Sequence, residues 1–222
     1  MNRVCVFVGE GLSERYFLPS LLQQRLGFKT LLSKVDHIYV KGDKIFWLLP
    51  FPPGSTTPAG GKDRLFRPET YKDCYAIHAG NCYQFGKHLL DFRVLFDCDG
   101  ADDEDIARQI YRIQKAFKKD LKSVNSFEVH YTVNKIENWY LAGLREDFPY
   151  FKENEPRVAR LLATRPETIL DPKQELATVL NFDSLRDAIK LAQIVGEYFD
   201  IDKAVELSPS FKSFYDSLSD LL

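Results

Sequence analysis

The sequence predicts an α/β protein in which a parallel β-sheet is flanked by helices and followed by an α-helical C-terminal region. Short apolar runs rich in β-branched and aromatic residues occur at residues 4–8 and 92–96, as expected of buried strands. Each run is followed by a segment of helical periodicity, and this alternation continues to residue 133, which favours a parallel sheet. Beyond residue 135 the pattern is almost entirely helical.

The composition is that of a folded protein without a membrane segment. With 222 residues, 45% of them hydrophobic, the chain can bury a substantial core. Its longest apolar runs are far shorter than the roughly 20 residues that span a bilayer, and its N-terminus lacks the apolar segment of a signal peptide. We therefore expect a cytoplasmic protein with no membrane partner. The formal net charge is −2, so a polyanion must be bound by a local patch.

The first half of the chain alternates between extended and helical patterns. The strand at residues 4–8 leads through a glycine turn into a helix at residues 13–26. Extended runs follow at residues 38–40 and 45–49. Residues 50–62 are rich in proline and glycine, which excludes a helix or a central strand, and we predict a mobile surface loop there.

The remaining elements complete the sheet and add helices. The strand at residues 92–96 precedes a helix at residues 102–121, which begins acidic and ends basic as the helix dipole favours, and then a strand at residues 127–133. The chain is thus predicted to form an α/β domain over residues 1–144 and a helical region over residues 145–222 that packs on it. Helices are predicted at residues 136–144, 156–163, 172–180, 184–199 and 210–222.

Acidic residues come directly after two of the predicted strands. Glu10 follows the first strand, with Glu14 one helical turn later, and Asp97 and Asp99 follow the strand at residues 92–96. In a parallel sheet, ligands bind at the carboxyl ends of the strands, which meet at one edge. Two carboxylates about 4 Å apart repel by about 4 kcal/mol at an effective dielectric constant near 20, so such a cluster needs a cation or protons. Oxygen ligands favour Mg²⁺ or Mn²⁺ over zinc.

Two other motifs fit their usual functions less well. The Gly-Glu-Gly sequence at 9–11 stands where a dinucleotide-binding fingerprint would, but Glu14 replaces the third small residue and would repel a pyrophosphate. Cys74, His78 and Cys82 have the spacing of metal ligands on one helix face. A glycine and an asparagine between them weaken a helix, and no fourth ligand is evident, so reduced structural thiols are favoured.

A phosphatase motif is the more serious alternative. Residues 94–100, Val-Leu-Phe-Asp-Cys-Asp-Gly, look like the first motif of haloacid dehalogenase-type phosphatases, in which Asp97 would be the nucleophile and Asp99 the acid. Ala101 stands where that family places Thr or Val, the motif comes late in the chain, and no acidic pair is evident on a later strand. This interpretation also gives Glu10 no role, but it stays open.

The acids taken together resemble the motifs of the Toprim domain. Residues 10–14, Glu-Gly-Leu-Ser-Glu, are similar to the Glu-Gly-x-Thr-Glu motif of OLD-type Toprim nucleases, with Ser13 in place of Thr, and Asp97 and Asp99 match the Asp-x-Asp that follows a later strand. Residues 135–142, Lys-Ile-Glu-Asn-Trp-Tyr-Leu-Ala, resemble the Glu-x-Trp-Leu-Leu-Ala element of a small bacterial Toprim-like family of similar length. Residues 171–176 and 208–214 resemble the helical tail of that family.

This resemblance implies a Toprim-like sheet and Mg²⁺-dependent cleavage of nucleic-acid phosphodiester bonds, with Mn²⁺ as the alternative ion. By position in the motifs, Glu10, Asp97 and Asp99 would be the catalytic residues and bind one or two metal ions. Glu14 would bind a second metal, and Glu137 would support the site. No tyrosine can be assigned as a covalent nucleophile, so hydrolysis is expected rather than strand passage.

Several of these residues also have a purely structural interpretation. Glu14 and Glu137 each lie in the first turn of a predicted helix, where the helix dipole favours an acid. Basic residues are commonly solvated surface groups. Those that could instead contact phosphates are Lys135, Arg64, Arg67, Arg157 and Arg160.

The resemblance also bears on partners. OLD-type Toprim domains often work beside an ABC-type ATPase, which here must be a separate chain because the sequence carries no nucleotide-binding motif. The protein would then be an effector subunit of a bacterial phage-defence or DNA-processing system, with DNA favoured over RNA. A non-catalytic binding subunit is the remaining alternative. Because the net charge is −2, we expect tight nucleic-acid binding to need a partner or a homo-oligomer.

Overall fold

The computed structural model describes residues 3–9, 11–31, 38–48, 89–120 and 124–218. Several residues singled out from the sequence lie outside these ranges, and what was predicted for them stays a prediction. They are Glu10, Arg64, Arg67, Cys74, His78, Cys82 and the loop at residues 50–62.

A β-sheet forms the centre of the fold. Within the described residues its strands are β1 (Arg3–Gly9), β2 (Lys29–Thr30), β3 (Ile38–Lys41), β4 (Lys44–Leu48), β5 (Leu89–Asp97) and β6 (Val124–Thr132). They lie in the order β2-β3-β4-β1-β5-β6. β1 pairs in parallel with β4 and with β5, and β5 pairs in parallel with β6. The predicted α/β class is confirmed.

The sheet is mixed, whereas the sequence analysis expected parallel strands throughout. β2, β3 and β4 pair antiparallel at one end of the sheet. Only Gly42 and Asp43 connect β3 to β4, with Gly42 at a φ of +61°. A connection of two residues joins antiparallel neighbours, whereas parallel strands need a crossover of a dozen or more residues. The parallel part, β4-β1-β5-β6, contains both strands that precede the predicted acids.

Helices flank the sheet in the expected α/β manner. They are α1 (Leu12–Ser20), continued by a π-helical turn (Leu21–Arg25), α2 (Asp103–Asp120), α3 (Glu137–Gly143), α4 (Pro156–Ala163), a 3₁₀ turn (Pro166–Thr168), α5 (Pro172–Val179), α6 (Ala188–Tyr198), α7 (Ile201–Leu207) and α8 (Pro209–Leu218). α6 begins four residues later than predicted because Asp187 caps its first turn, accepting from the Lys190 amide. No helix in the described ranges is long and apolar enough to cross a membrane.

Two hydrophobic clusters cover the two faces of the sheet. Successive residues of β1 point to opposite faces, so Cys5 and Phe7 belong to one cluster and Val4, Val6 and Val8 to the other. We call the first the helix-rich face, because α1 and α3 to α8 all contribute buried side chains to it. The second, the α2 face, receives helix side chains from α2. The helices after residue 144 therefore share one core with α1 and the sheet.

Candidate active site

Three parallel strands end at the same edge of the sheet. Gly9, the last residue of β1, lies opposite Leu95 of β5, and Asp97, the last residue of β5, lies opposite Thr132, the last residue of β6. The strand that precedes Glu10 therefore ends beside the strand that precedes Asp97 and Asp99. This edge is where ligands bind in open α/β sheets. Glu10 lies outside the described residues, so its contacts with the aspartates stay a prediction.

Asp97 is held by a side chain of the neighbouring strand. The hydroxyl of Thr132 donates a hydrogen bond to Asp97 Oδ1 at 2.6 Å. Thr132 is itself buried, whereas Asp97 is half-buried at the end of its strand. A short hydrogen bond to a carboxylate fixes the orientation of the carboxyl group. Asp97 is thus presented at the edge in one defined position.

Asp99 lies in a tight turn that is tied to the loop after β6. Asp99 and Gly100 both adopt left-handed backbone angles, with φ of +52° and +73°. Aspartate is one of the few residues that tolerates this region. The Asp99 amide donates to the Asn134 carbonyl at 2.9 Å, and the Gly100 amide donates to the Val133 carbonyl at 3.2 Å. The exposed side chain of Asp99 is therefore carried by a turn with defined geometry.

Glu14 caps its own helix. Its side chain is only 1% exposed, and its Oε2 accepts a hydrogen bond from the Gly11 amide at 3.0 Å. A β-carbon at position 11 would lie 2.9 Å from that same oxygen, so a larger residue there would require the end of the Glu14 side chain to shift. This geometry supports the structural interpretation of Glu14 as a first-turn acid. Its role as a metal ligand stays a prediction.

The charges of three predicted acids act on one buried tyrosine. Tyr140 of α3 is completely buried, and its hydroxyl donates to the Ser13 carbonyl at 3.3 Å. Burial raises the pKa of Tyr140 well above its usual value, and the charges of Glu137, Glu14 and Asp97 raise it further. These three carboxylates therefore lie within electrostatic range of a single phenol. Tyr140 joins α3 to the first turn of α1, beside the sheet edge.

Glu137, the first residue of α3, is a buried acid. Its side chain is 4% exposed. Burial raises the pKa of Glu137, opposed by the hydrogen bond to its own backbone amide and by the positive charges of Lys173 and Lys135, while Asp171 raises it further. The structure thus places Lys135, a predicted phosphate contact, within electrostatic range of Glu137. Lys173 and Asp171, at the start of α5, reach the same region.

Oxygen donors are the chemistry that this edge offers. Within the described residues, no three His, Cys, Asp or Glu side chains are placed so that they could hold a metal ion together. Asp97 and Asp99 supply two carboxylates of the type that Mg²⁺ and Mn²⁺ prefer. This donor chemistry fits the predicted ion, and a complete ligand set requires Glu10 in addition.

Two asparagines connect the site to the segment between α4 and α5. Asn134 Nδ2 donates to the Ile169 carbonyl at 2.8 Å, and Asn138 Nδ2 donates to the Pro166 carbonyl at 2.5 Å and to the Ile169 carbonyl at 3.2 Å. Asn138 Oδ1 also accepts from the Lys135 amide at 3.1 Å. The sequence analysis assigned no role to either asparagine. The signal was present, because Asn134 directly follows the strand predicted at residues 127–133, and ligands bind at the carboxyl ends of such strands.

The predicted phosphate contacts on α4 lie beside this segment. Arg157 and Arg160 are exposed and line a cleft of about 600 Å³ between α4 and α5. Ile169, which accepts the asparagine hydrogen bonds, lines the same cleft. The structure therefore brings the two arginines next to the segment that is hydrogen-bonded to the site, rather than onto a remote surface.

Comparison with protein-family models, curated proteins and solved structures found no match to this chain. The resemblance to Toprim proteins therefore depends on the motifs and on the positions of their residues in the fold.

Proposed function

We propose that this protein is a divalent-metal-dependent nuclease that hydrolyses phosphodiester bonds of nucleic acid at the carboxyl edge of the sheet. The observation that carries the proposal is the parallel pairing of β1 with β5. This pairing brings the strand preceding Glu10 beside the strand that ends in Asp97, as a two- or three-carboxylate metal site requires. In this proposal Glu10, Asp97 and Asp99 are the catalytic residues.

Hydrolysis adds a water oxygen to phosphorus and breaks the bond between phosphorus and the leaving sugar oxygen, which takes up a proton. Glu10, Asp97 and Asp99 would hold Mg²⁺ or Mn²⁺, which would polarise the phosphate and lower the pKa of the attacking water. Asp97, fixed by Thr132, and Asp99, fixed by its turn, orient the reacting groups. Glu10 takes part in proton transfer, and Lys135 contacts a phosphate oxygen. As the resemblance implies, Glu14 would bind a second metal ion and Glu137 would support the site.

The proposal includes the setting in which the protein works. The resemblance to OLD-type nucleases favours DNA over RNA and a cytoplasmic effector subunit of a phage-defence or DNA-processing system. A chain with a net charge of −2 and an acidic site captures polyanions poorly by itself. A separate ABC-type ATPase or a second copy of this chain would supply the missing basic surface. We expect addition of such a partner to raise the cleavage rate.

The test is cleavage of end-labelled DNA and RNA with Mg²⁺, with Mn²⁺ and with EDTA, in wild type and in Asp97→Asn and Asp99→Asn. Both variants keep the backbone, and asparagine tolerates the left-handed angle at position 99. We expect each to reduce cleavage at least 100-fold with unchanged thermal unfolding. Asp147→Asn, which removes an exposed carboxylate that pairs with Arg145, is the matched control.

Three outcomes would overturn the proposal. Asp97→Asn cleaving as fast as wild type would remove the aspartate from the chemistry. Hydrolysis of p-nitrophenyl phosphate without cleavage of nucleic acid would favour the haloacid dehalogenase-type phosphatase, with Asp97 as the nucleophile. Binding of nucleic acid without cleavage under any metal condition, also with a partner ATPase present, would favour a non-catalytic subunit.

A further inference from the structure

The cleft between α4 and α5 combines three kinds of side chain. Arg157 and Arg160 are three residues apart and lie on one side of α4. Leu170 lies at the cleft with 84% of its side chain exposed, the most exposed of the large apolar residues in the described ranges. Asp171 and Glu175 add carboxylates from the start of α5. The cleft therefore offers guanidinium groups, an apolar surface and hydrogen-bond acceptors within about 600 Å³.

The two arginines are not committed to ion pairs. Within the described residues, neither Arg157 nor Arg160 forms an ion pair, whereas Arg108 pairs with Glu104 and Asp105, and Arg186 pairs with Asp183. An arginine that has no carboxylate partner keeps its planar set of donors for a ligand, and phosphate is the anion that this geometry matches. The arginines of the cleft are therefore better suited to bind a phosphate than the paired Arg108 and Arg186 are.

Of the two asparagines that connect the cleft to the candidate active site, Asn134 contacts both. Its backbone carbonyl accepts from the Asp99 amide, and its side-chain amide donates to the Ile169 carbonyl. A β-carbon at Gly100 would lie 3.1 Å from Asn134 Oδ1, so the asparagine packs directly against the turn that carries Asp99. Ile169 in turn lines the cleft. A ligand in the cleft would thus lie next to the site.

We propose that this cleft holds an unpaired nucleotide beside the scissile bond, so that the substrate is single-stranded nucleic acid. The proposal rests on the proposed nuclease function. The arginines bind the phosphates, Leu170 packs on the face of a base, and Asp171 and Glu175 accept from base amino groups. In a duplex, the base faces are stacked and the pairing edges are occupied, so only an unpaired base can make these contacts. The cleft volume lies in the range of small-molecule sites.

Binding is tested without divalent ions, in EDTA, so that no cleavage takes place. Fluorescence anisotropy compares a fluorescein-labelled 20-nucleotide DNA strand with the same strand in a duplex. We expect the single strand to bind at least fivefold more tightly. For Arg157→Ala/Arg160→Ala, single-strand affinity should fall about tenfold, and the salt dependence should weaken by a slope of about 1.4, which is about 0.7 for each lost phosphate contact.

Two controls separate this effect from net charge and from stability. Arg108→Ala/Arg186→Ala removes the same two charges elsewhere on the surface and should change affinity less than twofold. Leu170→Ala, at an exposed position, should weaken single-strand binding about threefold but leave binding of an abasic strand unchanged, because that strand has no base to pack against. Thermal unfolding of each variant should match wild type.

The inference and the proposed nuclease function can fail separately. Three results would overturn the proposal for the cleft. They are equal affinity for single strand and duplex, no binding of either, and an equal loss of affinity in both double-arginine variants. If cleavage still requires Asp97, the nuclease function survives that result. Single-strand preference that depends on Arg157 and Arg160, without cleavage under any metal condition, would overturn the nuclease function and leave the cleft as a binding site.

Discussion

The two faces of the sheet are built from different side chains. The helix-rich face is crowded with aromatic rings: Phe214 lies 5.8 Å from Phe7 and 5.2 Å from Trp139, and Phe17 lies 5.0 Å from both Tyr140 and Phe199 between ring centres. The α2 face is formed mainly by aliphatic residues of the strands and of α2, together with Trp47, Phe92 and Phe96. The C-terminal helices supply much of the larger cluster, so they are part of the core.

The same contrast holds for buried charge. β5 directs Phe92, Val94 and Phe96 to the α2 face, whereas Arg93, at 3% exposed, belongs to the helix-rich face. Its guanidinium donates to the Ser217 carbonyl of α8 at 3.0 Å and pairs with Glu128 at 3.0 Å. A buried charge needs such partners. The C-terminal helices therefore supply hydrogen-bond partners for polar groups on one face of the sheet. Asp97 lies on the same face.

The largest expected loss of stability comes from a substitution on the helix-rich face. Phe214→Ala should lower the free energy of unfolding by about 4 kcal/mol, because it removes a ring packed against Phe7, Trp139 and His130. Urea unfolding measures the loss. Tyr111→Ala, on the solvent side of α2, is the control and should change stability by less than about 0.5 kcal/mol. A loss below 1 kcal/mol at Phe214 would show that α8 is not part of the cooperative core.

A buried histidine on the helix-rich face should make stability depend on pH. Burial lowers the pKa of His130 from 6.5 to about 4, and the charge of Arg93 contributes. The unfolded chain therefore binds this proton more readily, so stability should fall as the pH decreases from 6.5 towards 4, by about 2 kcal/mol between pH 7 and pH 5. His130→Gln should lack this component. The raised pKa of Glu137 makes stability rise as the pH decreases. This component is present in both wild type and His130→Gln, so it cancels when their stabilities are compared.

A smaller effect is expected where the C-terminal helices are capped. Asp200 accepts from the Lys203 amide at 3.0 Å at the start of α7. Asp200→Ala should cost about 1 kcal/mol, whereas Asp200→Asn keeps an acceptor and should cost only a few tenths. Chemical denaturation of both variants measures the difference. An equal loss in both would assign the effect to the ion pair of Asp200 with Arg145 instead.

The smallest expected effects come from removing the same methylene group on each face, which compares the two faces directly. Ile136→Val on the helix-rich face and Ile113→Val on the α2 face each remove one buried methylene. We expect a loss of about 0.8 kcal/mol for Ile136 and about 0.5 kcal/mol for Ile113. Within the described residues α2 is the one helix that packs on its face, whereas several helices pack together on the other, so we expect α2 to adjust more easily to the lost methylene. Equal losses would show that the α2 face is packed as rigidly as the other.

Much of the fold could be predicted because its signals are local. The runs at residues 4–8 and 92–96 became β1 and β5, and the helices at 136–144, 156–163 and 172–180 lie close to where helical periodicity placed them. α7 is short and was missed, although Asp200 is a typical N-cap residue. The antiparallel end of the sheet was also missed, because Gly42 and Asp43 were not recognised as a hairpin turn.

The sequence by itself determined which residues end the strands, and therefore that acids stand at the carboxyl ends of β1 and β5. Only the tertiary structure decided that these strands are neighbours, that Glu14 turns back to cap its own helix, and that Asn134 ties the Asp99 turn to the cleft of α4 and α5. The physical reason is distance along the chain. Periodicity and turn chemistry act over a few residues, whereas strand pairing and the Asn134–Ile169 hydrogen bond join residues 35 or more positions apart, where many alternative partners exist until the core is packed.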